Sequence, residues 1–190
     1  MQPTPAQMIS EYSRMLSQLL CDVMEHNYLL KDGPLQLTKT QFSILKILNT
    51  SGSFLGSELS KILNISRPAI TKNIDKLVKL KMVSRKSLKN DRRTTEISLL
   101  KPGRAYVAGY DNVRIQKQEL ALKSLSENEQ KLLSGLLAKY VRSCMQEEKM
   151  LDVICLQCND VIMEECMLIN HENKCSFFHK IEEKSRAQSK

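Results

Sequence analysis

Residues 59–100 read LSKILNISRPAITKNIDKLVKLKMVSRKSLKNDRRTTEISLL, and they hold the clearest structural signals of the chain. Its middle has the spacing of an amphipathic helix. The apolar stripe consists of Ile65, Ile70, Ile74, Leu77 and Val78. The polar residues of the opposite face are Arg67, Thr71, Lys72, Asp75 and Lys76. We therefore expect a helix with one buried side and one basic side.

Local signals define where this helix begins. Ser66 is a good N-cap, because its hydroxyl can accept a hydrogen bond from a backbone N–H of the first turn. Pro68 sits in that first turn, where a missing N–H is tolerated. A shorter helix is expected just before, over residues 57–63. The two helices and the turn between them form a predicted helix-turn-helix.

A β-hairpin is predicted directly after the helices. Residues 83–88 and 94–100 are rich in β-branched and apolar residues, and the polar run 89–93 between them predicts the hairpin tip. The segment from Lys61 to Arg104 holds thirteen Lys or Arg against three acids, a net +10, while the whole chain is +8. Cations gathered on one unit favour phosphate binding through counterion release. The pattern indicates a DNA-reading unit, and a solvated basic face without a ligand is the alternative.

The order and spacing of four motifs in this region resemble the MarR family of winged-helix transcription regulators. They are SRPAIT at 66–71, LVKLKMVSR at 77–85, DRR at 91–93 and ISLLKPGR at 97–104. The resemblance covers about residues 11–150. It implies a homodimer on a pseudo-palindromic operator of double-stranded DNA, with the recognition helix in the major groove. It also implies that the wing reaches the adjacent minor groove, where Arg93 enters and Asp91 positions it.

Guided by this resemblance, we expect direct base contacts from Arg67, Ala69, Thr71, Lys72 and Asn73. Two alternatives stay open, because Arg67 could bind a phosphate and Asn73 could face inward. Lys76, Lys86 and Lys89 are expected at phosphates. The full candidate DNA-binding set is Ser66, Arg67, Ala69, Thr71, Lys72, Asn73, Lys76, Lys86, Lys89, Asp91, Arg92 and Arg93.

The rest of the chain predicts a mainly α protein, a winged helix-turn-helix with a small β-wing and long N- and C-terminal dimerisation helices. Apolar stripes run through a first helix over about residues 5–31 and a last helix that begins after the capping box at Ser126. They must be buried, and a dimer or a monomeric bundle would each account for them. The expected units are a dimerisation helix at 1–34, the DNA-binding lobe at 35–100, two dimerisation helices at 101–150 and a cysteine-rich tail at 151–190.

Composition limits the other function classes. With 42% hydrophobic and 5% aromatic residues and no Trp, the chain predicts aliphatic helix packing. No stretch predicts a signal peptide or a membrane span, so we expect a cytoplasmic protein without a membrane partner. A Gly-rich phosphate loop and a His-Glu-x-x-His run are both absent from the sequence, and we do not expect an enzyme. No residues identify a small-molecule effector.

Four of the six cysteines lie in the tail, where the resemblance explains nothing. Cys155 and Cys158 form a Cys-x-x-Cys pair, followed by Cys166 and Cys175. Two thiols at this spacing can bind one metal centre, and two more can complete a four-thiolate site. His171 and His179 are candidate substitute ligands. Since structural zinc sites usually carry two tight pairs and here only one is tight, an iron–sulfur cluster is slightly favoured over Zn²⁺.

Other uses of these cysteines stay open. The tail could carry purely structural zinc, form a reversible disulfide, or serve a redox or electron-transfer protein. A centre that orders the tail directly after the last dimer helix could shift the recognition helices, whose half-sites lie ~34 Å apart. Cys21 and Cys144 fall on or beside apolar helical stripes, and we expect them to be packed core thiols.

Overall fold

The computed structural model describes residues 3–88 and 91–144, with the backbone alone at Cys21, Ser51, Leu88 and residues 91–94. The predicted tail at 151–190 lies outside this range. The helices are α1 (Pro5–Ser17), α2 (Glu25–Asn27), α3 (Lys39–Ser51), α4 (Gly56–Ile62), α5 (Arg67–Lys79), α6 (Lys101–Leu122) and α7 (Glu127–Cys144). The strands are β1 (Ser53–Leu55), β2 (Val83–Leu88) and β3 (Asp91–Leu99). The predicted mainly α winged helix-turn-helix is confirmed.

The first helical stretch, residues 5–32, is continuous and is called the N-terminal arm below. Two π-helical segments, Gln18–Met24 and Tyr28–Asp32, flank the short α2. A π-turn widens the backbone locally, so the arm departs from regular α-helical geometry where it reaches the core. The arm ends at Gly33, whose N–H donates to the Tyr28 carbonyl at 2.8 Å.

Three of the helices begin at capping residues that can be recognised in the sequence. Thr38 accepts from the Gln41 N–H, and the Gln41 side chain accepts from the Thr38 N–H at 3.0 Å, which forms a capping box at α3. Ser126 forms the predicted box with Glu129 at α7, and these hydrogen bonds hold the Glu129 pKa below its ordinary value. Ser66 caps α5 through the Ala69 N–H.

The sheet is three-stranded and antiparallel, in the order β1-β3-β2. β3 is central, with Phe54 of β1 opposite Ile97 and Arg85 of β2 opposite the same residue. A bulge between Ser87 and Leu88 interrupts the β2–β3 register. The predicted hairpin tip at 89–93 is shorter in the structure, because β3 already begins at Asp91 and pairs there with Leu88.

One aliphatic and aromatic core lies between α3, α4, α5, the sheet and the first half of α6. Phe42, Leu45, Leu48, Leu59 and Leu77 are fully buried in it. Gly103 lets α6 approach the end of α5, since a Cβ there would lie 2.5 Å from the Met82 carbonyl oxygen. The core therefore unites the two helices of the helix-turn-helix with the wing, and α5 is held rigidly with its basic side outward.

An aromatic cluster joins the N-terminal arm to this core. Tyr28 of the arm makes edge-to-face contacts with Tyr106 and Tyr110 of α6, at centroid distances of 5.3 and 5.4 Å. Phe42 of α3 makes similar contacts with both α6 tyrosines. The Tyr28 hydroxyl donates to the Tyr106 carbonyl at 3.1 Å. Arm, α3 and α6 therefore meet at one packed junction.

Two sequence predictions about packing are wrong for the chain described. The helical period places Val78 on the buried stripe of α5, but Val78 is 37% exposed, because the core covers the Ile70, Ile74 and Leu77 side only. Cys144, expected to be a core thiol, is exposed at the end of α7. The α7 stripe has no covering neighbour among residues 3–88 and 91–144. The side chain of Cys21 lies outside the described atoms.

None of the described helices is both long enough and apolar enough to cross a bilayer.

Candidate nucleic-acid interface

The helix α5 is held by the turn that precedes it. Asn64 adopts a left-handed conformation with φ 51°, which reverses the chain after α4. The Ile65 N–H then donates to the Ser60 carbonyl at 3.1 Å, and the Ser60 hydroxyl donates to the Ile65 carbonyl at 2.7 Å. Both hydrogen bonds close the turn onto the end of α4, two residues before α5 begins, and so constrain the direction in which α5 starts.

The outward face of α5 forms a long open groove. Its volume is about 690 Å³, and it is lined by Arg67, Pro68, Thr71, Lys72, Asp75, Lys76 and Lys79. All of these residues are exposed, and five of the seven are cationic or acidic groups on one side of the helix. Four cations against one acid give the face a positive potential suited to phosphates.

A second groove of about 430 Å³ separates α5 from the sheet. Two arginines, Arg67 and Arg85, lie on its lining together with Thr71 and Thr95. The Arg85 guanidinium contacts the Asp75 carboxylate at 3.0 Å, with both side chains partly exposed. This ion pair joins β2 of the wing to α5. It also neutralises Asp75, the one acid among the outward residues of α5.

Strand pairing in the wing determines which charged residues lie opposite each other. Lys86 of β2 is exposed and lies opposite Glu96 of β3. Glu96 also accepts a hydrogen bond of 2.6 Å from the Ser53 hydroxyl of β1. The Glu96 carboxylate therefore links β3 to β1, while backbone pairing links β3 to β2.

The predicted contact residues do not all present free side chains. Ser66 is engaged as the N-cap of α5. The Asn73 amide donates to the Ala69 carbonyl at 2.9 Å and is half-buried, and the Thr71 hydroxyl donates to the Arg67 carbonyl at 3.0 Å. Arg67, Lys72 and Lys76 are exposed on the outward face.

The wing-tip predictions fall mostly beyond the described atoms. Lys89 lies outside the described residues, and Asp91, Arg92 and Arg93 are placed by their backbone alone, at the start of β3. The roles predicted for these four side chains stay predictions.

Comparison with known proteins fits this geometry. Residues 37–95 match the model of the MarR family. This match spans α3 to the wing, which is the helix-turn-helix and its sheet.

Three solved structures share the architecture over about three quarters of the chain. RV1404 from Mycobacterium tuberculosis aligns with a TM-score of 0.65 at 21% identity, covering 77% of this chain and 99% of that one. Wild-type MarR from E. coli aligns with a TM-score of 0.57 at 23% identity, covering 74% and 98%. A point mutant of S. aureus MepR bound to an oligodeoxyribonucleotide aligns at 0.56 and 21%, covering 72% and 98%. The chain has a MarR-type winged-helix fold.

Both ends of the MarR-type fold carry exposed apolar side chains. In α1 no residue is buried, and Tyr12, Met15 and Leu19 of the arm are each more than half exposed. In α7 no residue is buried either, and Leu132 and Leu136 are 63% and 56% exposed. A stripe of this size on two helices predicts a covering partner. A monomeric bundle, the alternative left open by the sequence, is not formed by the part of the chain described.

The predicted metal ligands lie outside the described residues. They are Cys155, Cys158, Cys166, Cys175, His171 and His179. Within residues 3–88 and 91–144, no three His, Cys, Asp or Glu side chains come together as a metal site.

The sequence reasoning missed the ion pair between Asp75 and Arg85, the contribution of Lys79 to the outward face and the part of Thr95 in the second groove. Lys79 could have been found, because it continues the spacing of Lys72 and Lys76 by one further turn. The ion pair had no signal in spacing, since its partners lie on different elements.

Proposed function

We propose that this protein is a sequence-specific DNA-binding transcription regulator of the MarR type, expected to act as a repressor. It binds a pseudo-palindromic operator as a homodimer, with α5 in the major groove and the wing at the adjacent minor groove. The observation that carries the proposal is the outward face of α5, exposed and cationic on a helix whose opposite side buries Ile70, Ile74 and Leu77 in the core. The fold supports it, because a MepR structure with this architecture holds an oligodeoxyribonucleotide.

Salt-dependent DNA binding tests this function. Operator sites are first selected from a random duplex pool with the full chain, and affinity is then measured by fluorescence anisotropy across salt concentrations. Each neutralised phosphate contributes about 0.9 to the slope of log K against log salt. Lys76→Ala and Arg93→Ala should each lower affinity and make the slope shallower by about one. Lys117→Ala, an exposed cation on α6 away from the interface, is the matched control. Unchanged slopes in both interface variants would contradict the proposal.

The homodimer is supported by the apolar stripes of the arm and α7, which are exposed in the single chain. Burying them against a second copy removes that surface from water, at about 25 cal/mol per Å². Leu136→Glu should give a monomer in sedimentation equilibrium, while circular dichroism stays that of a folded helical protein. Val78→Glu introduces the same charge at an exposed apolar site outside both stripes and should leave the dimer intact. If Leu136→Glu stays dimeric, the proposed interface is wrong.

The tail adds a metal- or redox-responsive element to this proposal. Cys155, Cys158, Cys166 and Cys175 would hold an iron–sulfur cluster, slightly favoured, or Zn²⁺, with His171 and His179 as substitute ligands. What supports this is the density of four thiols within 21 residues of sequence. A zinc ion would make the tail structural. A metal-free tail would leave thiol–disulfide switching.

Metal analysis separates these options. Protein purified without oxygen is examined by ultraviolet–visible absorption and by iron, sulfide and zinc assay. A broad band near ~400 nm with matching iron and sulfide would identify the cluster. Cys155→Ser with Cys158→Ser should abolish metal binding and the response of operator affinity to oxidant, while Cys144→Ser, the exposed thiol at the end of α7, should change neither. Metal content unchanged in the double variant would remove these residues as ligands.

A redox or electron-transfer protein that uses the cysteine centre is the second candidate. Only the cysteines of the tail favour this candidate. If it were right, the activity of the protein would not depend on the cations of α5. A chain that holds a cluster but binds no duplex DNA at low salt would favour this candidate over the regulator.

A further inference from the structure

The outward face of α5 carries side chains matched to two particular bases. We infer that each operator half-site contains a guanine read by Arg67 and, within about two base pairs, a thymine whose methyl group packs against Pro68 and Thr71. This inference rests on the proposed function and adds the chemistry of the DNA sequence that is read.

Arg67 is the first residue of α5 and lies at the end of the helix that enters the groove in helix-turn-helix proteins. Its side chain is exposed and lines both grooves. Within the described part of the chain its guanidinium has no hydrogen bond or ion pair, whereas Arg85 pairs with Asp75 and Arg104 donates to the Leu99 carbonyl. A free guanidinium fork matches the O6 and N7 acceptors of guanine in the major groove.

The next outward positions offer apolar contact instead of donors. Pro68 has no N–H and presents an exposed ring. Thr71 has its hydroxyl hydrogen donated to the Arg67 carbonyl, so it brings a methyl group and an oxygen acceptor but no donor. A methyl or ring carbon is the usual partner of the thymine C5-methyl group.

Adenine reading by Asn73 is disfavoured by the same geometry. An asparagine reads adenine by donating from its amide and accepting with its carbonyl oxygen at once. One of the two amide N–H donors of Asn73 already goes to the Ala69 carbonyl at 2.9 Å, and the side chain is half-buried, so the amide lies against its own helix. Arg67 and Thr71 are four residues apart, about 6 Å along the helix axis, which spans at most about two base-pair steps. The two readers therefore fall within one half-site.

Site selection from random duplex DNA tests the inference directly. With the unaltered full chain, we expect an inverted repeat with a guanine and a thymine about two base pairs apart in each half. The selected site is then synthesised with 7-deazaguanine, which lacks N7, or with uracil, which lacks the C5-methyl group. Each replacement should weaken binding. Losing a whole bidentate pair is worth about 5-fold to 150-fold, and 7-deazaguanine removes one of its two acceptors, so its effect should fall below the upper end of that range.

Variants assign these effects to side chains. Arg67→Ala should lose the preference for guanine and become indifferent to 7-deazaguanine, and Arg67→Lys should lose most of it because it keeps the charge without the fork. Lys79→Ala, which removes a cation from the last turn of the same helix, should lower affinity equally for all sequences. Arg67 is exposed, so the variants are expected to fold, and circular dichroism checks this.

The outcomes separate the inference from the function on which it rests. If the chain binds no duplex DNA, the proposed function fails. If it binds a selected site but Arg67→Ala keeps the same base preferences and only the salt slope becomes shallower, Arg67 contacts a phosphate and the inference is overturned. Insensitivity of the unaltered protein to uracil at every thymine would overturn the part that concerns Pro68 and Thr71.

Discussion

Tyr106→Phe isolates one hydrogen bond at the junction between the arm and the core. Tyr106 is 2% exposed, and its hydroxyl donates to the Leu35 carbonyl at 2.7 Å. Phenylalanine keeps the ring and its edge-to-face contacts with Tyr28 and Phe42. The loss is therefore one neutral hydrogen bond, about 1 kcal/mol of the free energy of unfolding. Leu35 lies at the surface, so water can satisfy its carbonyl and no larger desolvation penalty is added.

The same variant should change how stability depends on alkaline pH. Burial, followed by the proximity of Tyr28, raises the pKa of Tyr106 from 10.0 to about 12. Between these two pH values the native protein keeps a proton that the unfolded chain has released. The unfolded chain then binds fewer protons, so the free energy of unfolding falls as pH rises through this window. Well below pH 10 both states hold the Tyr106 proton and nothing is lost, and by pH 12 the free energy of unfolding has fallen by about 2 kcal/mol.

Urea unfolding followed by circular dichroism measures both effects at one fixed protein concentration, because a dimer makes stability depend on concentration. At pH 8 the Tyr106→Phe protein should be less stable by about 1 kcal/mol. Between pH 10 and 11.5 its stability should fall less steeply than that of the unaltered protein. Equal stability at pH 8 together with an unchanged alkaline slope would show that the Tyr106 hydroxyl neither stabilises the junction nor keeps its proton above pH 10.

Three further predictions concern backbone positions, and thermal or urea unfolding checks each of them. Gly103→Ala should destabilise the protein although alanine favours helices, because the added Cβ would lie 2.5 Å from the Met82 carbonyl oxygen. A gain in stability would show that α6 can move away from Met82. Lys81 has φ 56°, a left-handed conformation that glycine adopts more easily than lysine or valine. Lys81→Gly should therefore raise the free energy of unfolding by about 0.5–1 kcal/mol, and Lys81→Val should lower it. The reverse order of stability would exclude strain at this turn. Thr38→Ala should cost about 1 kcal/mol through the lost capping box with Gln41, and an unchanged midpoint would show that the cap is dispensable.

Features that depend on neighbouring residues could be predicted from the sequence. The start of α5 followed from Ser66 and Pro68, because capping and the tolerance of proline in the first turn act within four residues. The start of α7 followed from Ser126 and Glu129 for the same reason. In both helices the hydrogen-bond partners of the cap are close in sequence, so the spacing of residues was enough to predict where the helix begins.

Features that depend on distant partners could not be predicted in this way. β1 has only three residues, and it exists because Phe54 pairs with Ile97 more than forty positions later. Val78 follows the helical period but lies beyond the part of α5 that the core covers. At the candidate site, the sequence placed Asp75 only on the polar face of the helix, and the position of Arg85 on β2 shows that Asp75 pairs with the wing.

The attachment of the arm to the core bears on how DNA-binding measurements should be interpreted. Two ion pairs join the arm to α3: Asp22–Lys39, which is more than half exposed, and Glu25–Lys46, which is largely buried, each at 2.9 Å. Salt screens the exposed pair strongly and the buried pair much less.

The aromatic junction around Tyr28 does not depend on charge, and it packs beside the buried pair. Raising the salt concentration should therefore leave the angle between the arm and the reading lobe nearly unchanged. In the proposed homodimer that angle sets the distance between the two α5 helices. A loss of operator affinity at high salt can then be attributed to phosphate contacts of α5 and the wing. If salt instead changed the dimer geometry, the salt dependence of operator affinity should be the same in Lys76→Ala as in the unaltered protein.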